Sequence, residues 1–211
     1  MSALSDAFFE RLADLAECHA TDPVVFLDAW NAESGLNPAA ENPNGHARGL
    51  NQMMPRTLAG LGAPANFNAL SGEDQLPWIE RLIVGGERLN GGPFQSAERY
   101  YHSNFFPRTM ARGQAPTTVV VASDAADPEE RAGYAANAGM DPARSGRITY
   151  ADLTAFLNRA KNGNRLVYEA ARARLALAMR GTTPARVAAT GGGPVLVALG
   201  VLAAALAWRA A

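Results

Sequence analysis

The sequence predicts an all-α fold that ends in an additional hydrophobic helix. Apolar residues recur at intervals of three and four along most of the chain, which is the spacing of amphipathic helices. No sustained alternation of apolar and polar residues indicates a sheet, and breaks such as Gly62 to Pro64 and Gly91 to Pro93 separate the apolar stretches. The 211 residues allow one domain of about 150 residues with an appendage.

The predicted helices follow one another with short connections. They cover residues 5–19, 22–33, 55–61, 73–89, 95–105, 117–123, 128–138, 150–161 and 165–180. The stretch 117–123 is open to a second interpretation, because its β-branched residues also suit a short strand. We divide the chain into a domain at 1–125, a helical extension at 126–186 and a hydrophobic tail at 187–211.

The leading candidate for a catalytic acid is Glu33, at the C-terminal end of the second predicted helix. Thr21 or Asp22 can cap that helix, and an apolar stripe runs along it. The carbonyl end of the helix dipole and the apolar side chains of Phe26 and Trp30 both disfavour an ionised carboxylate. We therefore expect a raised pKa for Glu33, as a general acid requires.

Two motifs in order and at matching spacing carry a family resemblance. The first is Glu33 to Gly35, and the second is Gly49 to Thr57, with Asn51 and Met53 as departures from the usual Gly-Leu-Met-Gln-Ile pattern. The chain thus resembles the lytic transglycosylases of the soluble-lytic-transglycosylase type, in the goose-type lysozyme superfamily and in the variety borne by phages. The resemblance implies a lysozyme-like α domain, with room for a minor β element.

A third family motif, usually Ala-Tyr-Asn-x-Gly, has its nearest counterpart in Ala97 to Pro107. The tyrosine that approaches the catalytic carboxyl is then Tyr101, or failing that Tyr100. The alternative is that both tyrosines are only core residues. The resemblance covers about residues 20 to 110.

The resemblance implies that Glu33 first protonates the glycosidic oxygen between N-acetylmuramic acid and N-acetylglucosamine. It then takes the C6 hydroxyl proton, which closes a 1,6-anhydro ring without water. Asp28 and Glu41 are the nearest other carboxylates, and neither stands at a motif position. The expected glycan-binding residues are Ser34, Gln52, Met53, Tyr101 and Asn104. The alternative role for Ser34 is a simple hydrogen bond at the helix end. The alternative role for Met53 is packing.

Two other functions compete with a transglycosylase that binds peptidoglycan glycan strands. One is a hydrolytic muramidase on the same scaffold, and the other is a non-catalytic virion or membrane component that keeps the fold. The formal charge of −1 gives no support for a nucleic-acid partner, which usually requires a basic surface.

The segment Asp141 to Asp152 is similar to a degenerate calcium loop of the EF-hand kind. Ala143 removes one ligand, and arginines bring positive charge close. We therefore expect a metal-free turn in which Thr149 or Ser145 caps the next helix, and we predict no metal and no cofactor for this protein.

Residues 187–208 contain no charge, and a membrane crossing takes about 20 residues. We expect Pro194 to Trp208 to be a membrane anchor, with a buried or partner-docked helix as the alternative. The charged first 20 residues lack the features of a secretory signal peptide. The sequence therefore favours a virion-associated or membrane-anchored protein that acts on the cell wall in the periplasm, with other virion proteins as further partners.

Overall fold

A computed structural model describes residues 4–181, and this part of the chain is mostly helical. The helices are α1 (Asp6–Cys18), α2 (Pro23–Ser34), α3 (Pro55–Leu61), α4 (Gly72–Asn90), α5 (Ala97–Phe105), α6 (Pro128–Ala136), α7 (Tyr150–Gly163) and α8 (Arg165–Gly181). Two short strands, β1 (Val119–Ala122) and β2 (Arg147–Thr149), form an antiparallel pair. Single 3₁₀ turns cover Phe67–Ala69, Pro107–Arg112 and Ala138–Met140. The predicted all-α class is confirmed for the described residues.

The predicted helix at 117–123 is wrong, and the alternative strand is confirmed. Three consecutive valines in this stretch are β-branched, which restricts their side-chain rotamers and favours extended backbone. Val121 and Ala122 pair with Ile148 and Arg147 of β2, and a register irregularity lies between Val119 and Val121. Val121 and Ile148 are fully buried, so the pair is held by its apolar face.

Side-chain caps fix where several helices begin. The hydroxyl of Ser5 accepts the Phe8 amide at the start of α1, and the Asp22 carboxylate accepts the Val24 amide at the start of α2. Thr149 and Asp152 form a reciprocal capping box at the start of α7. Each cap satisfies backbone donors that have no partner inside the helix. Short polar residues before apolar runs thus set the helix boundaries.

The core lies where α1, α2, α4 and α5 meet, and it continues beneath α7 and α8. Its centre holds aromatic side chains, with Phe26 stacked on Trp30 at 5.8 Å between ring centroids and edge-on to Tyr100 at 5.0 Å. Burial of such large side chains is the main stabilising contribution in a helical core. The predicted helical extension therefore shares its core with the first 125 residues.

Polar contacts tie α7 and α8 to α2. Asp28, on the second turn of α2, pairs with Lys161 at 3.1 Å and accepts a hydrogen bond from the Tyr168 hydroxyl. Asn164, between the two later helices, donates to the Asn31 side chain at 2.9 Å and to the Gly35 carbonyl at 3.1 Å. The middle and the end of α2 are thus held by residues more than 120 positions later in the chain.

A buried polar network joins α5 to the segment around β1 and β2. The ring nitrogens of His102 lie 2.9 Å from the Tyr150 hydroxyl and 2.9 Å from the Thr109 hydroxyl. The Arg99 guanidinium donates to the Met110 carbonyl at 2.9 Å and to the Tyr150 hydroxyl at 3.2 Å. His102 is fully buried, and burial together with the nearby Arg99 charge lowers its pKa from 6.5 to about 4.

The calcium-like loop forms the turn that leads into β2. The buried Asp141 carboxylate accepts from the Gly146 amide at 2.8 Å and from the Ser145 hydroxyl at 3.2 Å. Thr149, one of the two predicted caps, is the residue that caps α7. Among residues 4–181 no cluster of three or more His, Cys, Asp or Glu side chains is placed to hold a metal ion.

Among residues 4–181, no helix has both the length and the apolar composition to span a membrane. The predicted anchor at Pro194 to Trp208, and with it the hydrophobic tail at 187–211, lies outside the described residues.

Candidate functional site

Glu33 lies in the last turn of α2, which ends one residue later, at Ser34. The chain leaves the helix through Gly35 and Leu36, both in the left-handed region with φ of 62° and 61°. The Gly35 amide donates to the Asn31 carbonyl at 3.0 Å, and Gly at this position avoids the strain that a Cβ would cause. This sharp end turns the chain away and leaves the Glu33 side chain in a cleft.

The Glu33 carboxyl is in a desolvated environment. Burial raises its pKa from 4.5 to about 8, and this effect outweighs the hydrogen bond from the Tyr101 hydroxyl, which lowers it. Tyr101 itself is only 4% exposed, and burial raises its own pKa well above 10. At neutral pH the site therefore holds a protonated carboxylic acid and a protonated phenol that donates to it.

The cleft runs between the loop before α3, the long helix α4 and the end of α5. Glu33 is the single carboxyl among the described residues that line it, and Arg81 and Arg108 are the basic ones. Arg81 lies over the Trp78 ring at 4.3 Å and donates to the Leu61 carbonyl at 2.7 Å. Arg108 pairs with acidic residues at the start of α6. Apolar side chains line much of the remaining wall, including Met53, Met54, Leu82, Leu89 and Phe106.

One wall of the cleft is a tight loop stabilised by backbone pairing of Arg48 with Met53. The two residues exchange hydrogen bonds of 2.9 and 3.0 Å, and the chain reverses between them. Gln52 has a positive φ of 42°, a strained conformation for a residue other than Gly, and such strain is often found at functional sites. Its side-chain amide donates to the Gly49 carbonyl at 2.9 Å, which fixes the turn from inside.

Gln75 on α4 anchors the same loop from behind. It is fully buried, accepts the Leu50 amide at 2.9 Å and donates to the Pro38 carbonyl at 2.7 Å. Gly49 packs against it so closely that a Cβ would lie 2.5 Å from Gln75 Oε1 and 2.5 Å from the Phe67 ring. The loop position is therefore set by a buried amide and by a glycine that has φ of 76°.

Asn51 connects the loop to the floor of the cleft. Its side-chain oxygen accepts from the Trp30 indole at 3.0 Å, the Tyr100 hydroxyl at 2.9 Å and the Asn104 amide at 3.1 Å. Trp30 belongs to α2, and the other two donors belong to α5. A single amide oxygen thus joins the three parts of the chain that carry the family-like motifs.

The structure brings together most of the residues that the sequence singled out. Gln52, Met53 and Asn104 line the cleft with Glu33, and Tyr101 donates to the Glu33 carboxyl. Ser34 is placed differently, because its hydroxyl donates to the Trp30 carbonyl at 3.0 Å, which is the helix-end contact named as its alternative role. Contact of these residues with a glycan stays a prediction.

The two other carboxylates considered from the sequence are not among the described residues of the cleft wall. Asp28 is engaged by Lys161 and Tyr168 on the side of α2 that faces α7 and α8. Glu41 pairs with Arg48 at 3.2 Å and accepts from the Asn68 amide at 3.0 Å. Both have structural partners, and Glu33 is the one carboxyl among the described residues of the cleft wall.

Sequence reasoning assigned no role to Asn51 or Gln75. Asn51 stood out only as a departure from the motif, and a polar residue within an otherwise apolar motif position is the signal that could have found it. Gln75 lies 25 residues after the loop, inside an ordinary amphipathic helix, and no local pattern indicates its contacts.

A protonated carboxyl in an apolar cleft can act as a general acid on a leaving oxygen. Glycoside hydrolysis by two flanking carboxylates needs a second carboxyl, and the described cleft wall does not provide one. Comparison of the chain with models of protein families, with curated proteins and with solved structures finds no match.

Proposed function

We propose that the protein is a lytic transglycosylase with a lysozyme-like α domain, and that it cleaves the bond between N-acetylmuramic acid and N-acetylglucosamine in peptidoglycan. The observation that carries the proposal is the state of Glu33. It is the one carboxyl among the described residues of the cleft, and burial keeps it protonated at neutral pH. The motif resemblance supplies the substrate class.

In the proposed reaction Glu33 gives its proton to the glycosidic oxygen, and the bond from that oxygen to C1 of N-acetylmuramic acid breaks. The acetamido oxygen of the same sugar bonds to C1 and stabilises the developing positive charge. Glu33 is now a carboxylate and accepts the C6 hydroxyl proton while O6 bonds to C1 and releases the acetamido oxygen. No water is consumed, so one carboxyl serves both proton transfers.

Several contacts support this sequence of steps. The Tyr101 hydroxyl stabilises the carboxylate that forms in the first step, because its hydrogen bond lowers the pKa of Glu33. The apolar side chains around the cleft keep water away from C1, which favours ring closure over hydrolysis. The loop held by Gln75 and Gly49 forms a wall against which a glycan strand can lie.

The test is digestion of insoluble peptidoglycan by the full-length protein, with the released muropeptides identified by mass spectrometry. The Glu33→Gln variant should release at least about 10²-fold less, since general acid catalysis contributes that much or more. Glu41→Gln is the matched control, because Glu41 lies outside the cleft wall and should be dispensable. Muropeptides with 1,6-anhydro ends support the proposal; reducing ends indicate a muramidase, and no release from the wild type contradicts catalysis.

A further inference from the structure

The side-chain amide of Asn51 has one orientation that fits its surroundings. Its oxygen accepts from Trp30, Tyr100 and Asn104 at 2.9 to 3.1 Å. An amide nitrogen turned toward these donors would remove the acceptor they share, and Trp30 would keep only its longer bond of 3.3 Å to the Tyr100 hydroxyl. Asn51 is 2% exposed, so water does not compete for the group. The nitrogen, Nδ2, therefore points away from the three donors.

Within residues 4–181 no acceptor pairs with Asn51 Nδ2. A buried polar group without a partner is rare in folded proteins, and a functional role is one of the recognised reasons for it. Asn51 lines the same cleft as Glu33. The described cleft wall thus contains both a buried donor without a partner and the carboxyl of Glu33.

Three other side-chain donors along the cleft already have acceptors. The Gln52 amide donates to the Gly49 carbonyl at 2.9 Å, and the Ser103 hydroxyl donates to the Tyr100 carbonyl at 2.7 Å. The Asn104 amide donates to Asn51 itself. Asn51 Nδ2 thus differs from these neighbours in making no hydrogen bond at all to the described residues.

The position of Asn51 relative to α2 brings this donor close to the end of the helix. Its oxygen is 3.0 Å from the indole nitrogen of Trp30, and Glu33 follows Trp30 by three residues, which places both side chains on one face of α2. Tyr100 also links the two, since its hydroxyl bonds to Asn51 and it interacts electrostatically with Glu33.

The protonation state of Glu33 determines how many donors it needs. A protonated carboxyl carries one proton that it can donate, and it accepts the hydrogen bond from the Tyr101 hydroxyl. A carboxylate only accepts, and it takes several charge-assisted hydrogen bonds. Tyr100 and Tyr101 from α5 interact with the carboxyl. Arg81 from α4 and Arg108 from the turn after α5 are the charged groups that line the same cleft. Both arginines are held by other partners.

We propose that Asn51 is a positioning residue whose Nδ2 donates to the Glu33 carboxylate once Glu33 has released its proton. The amide is held in place by its oxygen, so the Glu33 side chain rotates toward Nδ2 when the bond forms. Its role in catalysis rests on the proposed function in one respect, namely that Glu33 acts as an acid and then as a base. The hydrogen bond itself is independent of the substrate.

The test is an NMR titration of the full-length protein with ¹³C-labelled glutamate carboxyls and ¹⁵N-labelled asparagine side chains. In the wild type one Asn51 Hδ2 resonance should move downfield with the same midpoint as the Glu33 carboxyl. In Asn51→Leu the Glu33 midpoint should rise by roughly one pH unit, because a donor to the carboxylate is lost. Asn104→Leu also removes a bond to the Asn51 oxygen but keeps Nδ2, so its Glu33 midpoint should match the wild type.

An Asn51 amide that does not respond to the Glu33 titration overturns the inference. This measurement is made on the wild type, so it does not depend on whether a variant folds. Equal midpoints in the wild type and in Asn51→Leu overturn it as well. Digestion of peptidoglycan by the same wild-type preparation tests the proposed function separately. Failure to cleave contradicts the transglycosylase while the titration still decides the role of Asn51.

Discussion

The Tyr101 hydroxyl donates a hydrogen bond to the Glu33 carboxyl across the junction of α5 and α2. Two opposing effects meet at this contact, because burial favours the neutral acid and the hydrogen bond favours the carboxylate. The balance leaves the pKa of Glu33 at about 8, close to the pH at which one group can both give and take a proton.

Replacing Tyr101 by Phe should raise the pKa of Glu33 further, by roughly one unit, because the donor to the carboxylate is removed while the ring remains. Contacts of the ring with Phe105 and Phe156 do not need the hydroxyl. NMR titration of labelled glutamate carboxyls measures the change. Tyr150→Phe is the control, since its hydroxyl binds Arg99 and His102, so an equal shift there would mean that the Tyr101 contact is not the cause.

Replacing Glu33 by Gln should stabilise the protein at alkaline pH. The folded-state pKa of about 8 lies above the unfolded value of about 4.5, so between these values the folded state binds more protons and stability falls as pH rises. Gln does not titrate, so the variant does not lose stability in this way. The wild type loses at most about 1.4 kcal/mol of stability for each pH unit in this window. Urea unfolding at pH 4.5 and pH 8 measures it, and a constant difference between wild type and variant contradicts the prediction.

Replacing Gly49 by Ala should destabilise the fold by about 2 to 5 kcal/mol, through left-handed strain and overlap with Gln75 and Phe67. Gly62 offers a matched control, because it has a similar φ of 72° and open space around its Cα. Gly62→Ala should therefore cost only the strain, about 1 to 2 kcal/mol. Chemical denaturation of both variants gives the difference, and equal costs would show that the close packing of the loop is unimportant.

Acidification below pH 6.5 should weaken the fold through His102. Its folded-state pKa of about 4 lies below the unfolded value, so the unfolded state binds the additional proton, and stability declines as pH falls through this window. The contribution reaches up to about 3 kcal/mol. Thermal unfolding of wild type and His102→Gln between pH 4 and 7 checks it. The variant should show the shallower decline, whereas His46→Gln, at an exposed position, should follow the wild type.

The helices and the position of Glu33 at a helix end could be predicted from the sequence because their signals are local. The cap at Asp22, the apolar stripe of α2 and the glycine after Ser34 are consecutive features, and they place Glu33 at a helix end. The valines of β1 favour a strand by local sterics, but their burial depends on Ile148, so local pattern alone left two interpretations. The observed helix starts differ by one or two residues from the predicted ones where the cap residue, rather than the apolar periodicity, decides the start.

The contacts around Asn51 could not be predicted in the same way. Its three donors lie 21, 49 and 53 residues away, and they meet only when α2 and α5 have packed. The same holds for Gln75, which supports a loop from the far side of the core. Residues that position a site from behind carry no spacing rule, because their partners are chosen by the tertiary fold.

The attachment of α2 to the later helices has a mechanical consequence. Asp28 forms an ion pair with Lys161 and accepts a hydrogen bond from Tyr168. Farther along α8 the Arg174 guanidinium pairs with Asp6 at 2.6 Å and lies over the Phe9 ring at 4.7 Å. Tension applied to α8 at Gly181 therefore passes into α1 and into the helix that carries Glu33. Force on the end of α8 thus reaches the helices that form the scaffold of the cleft.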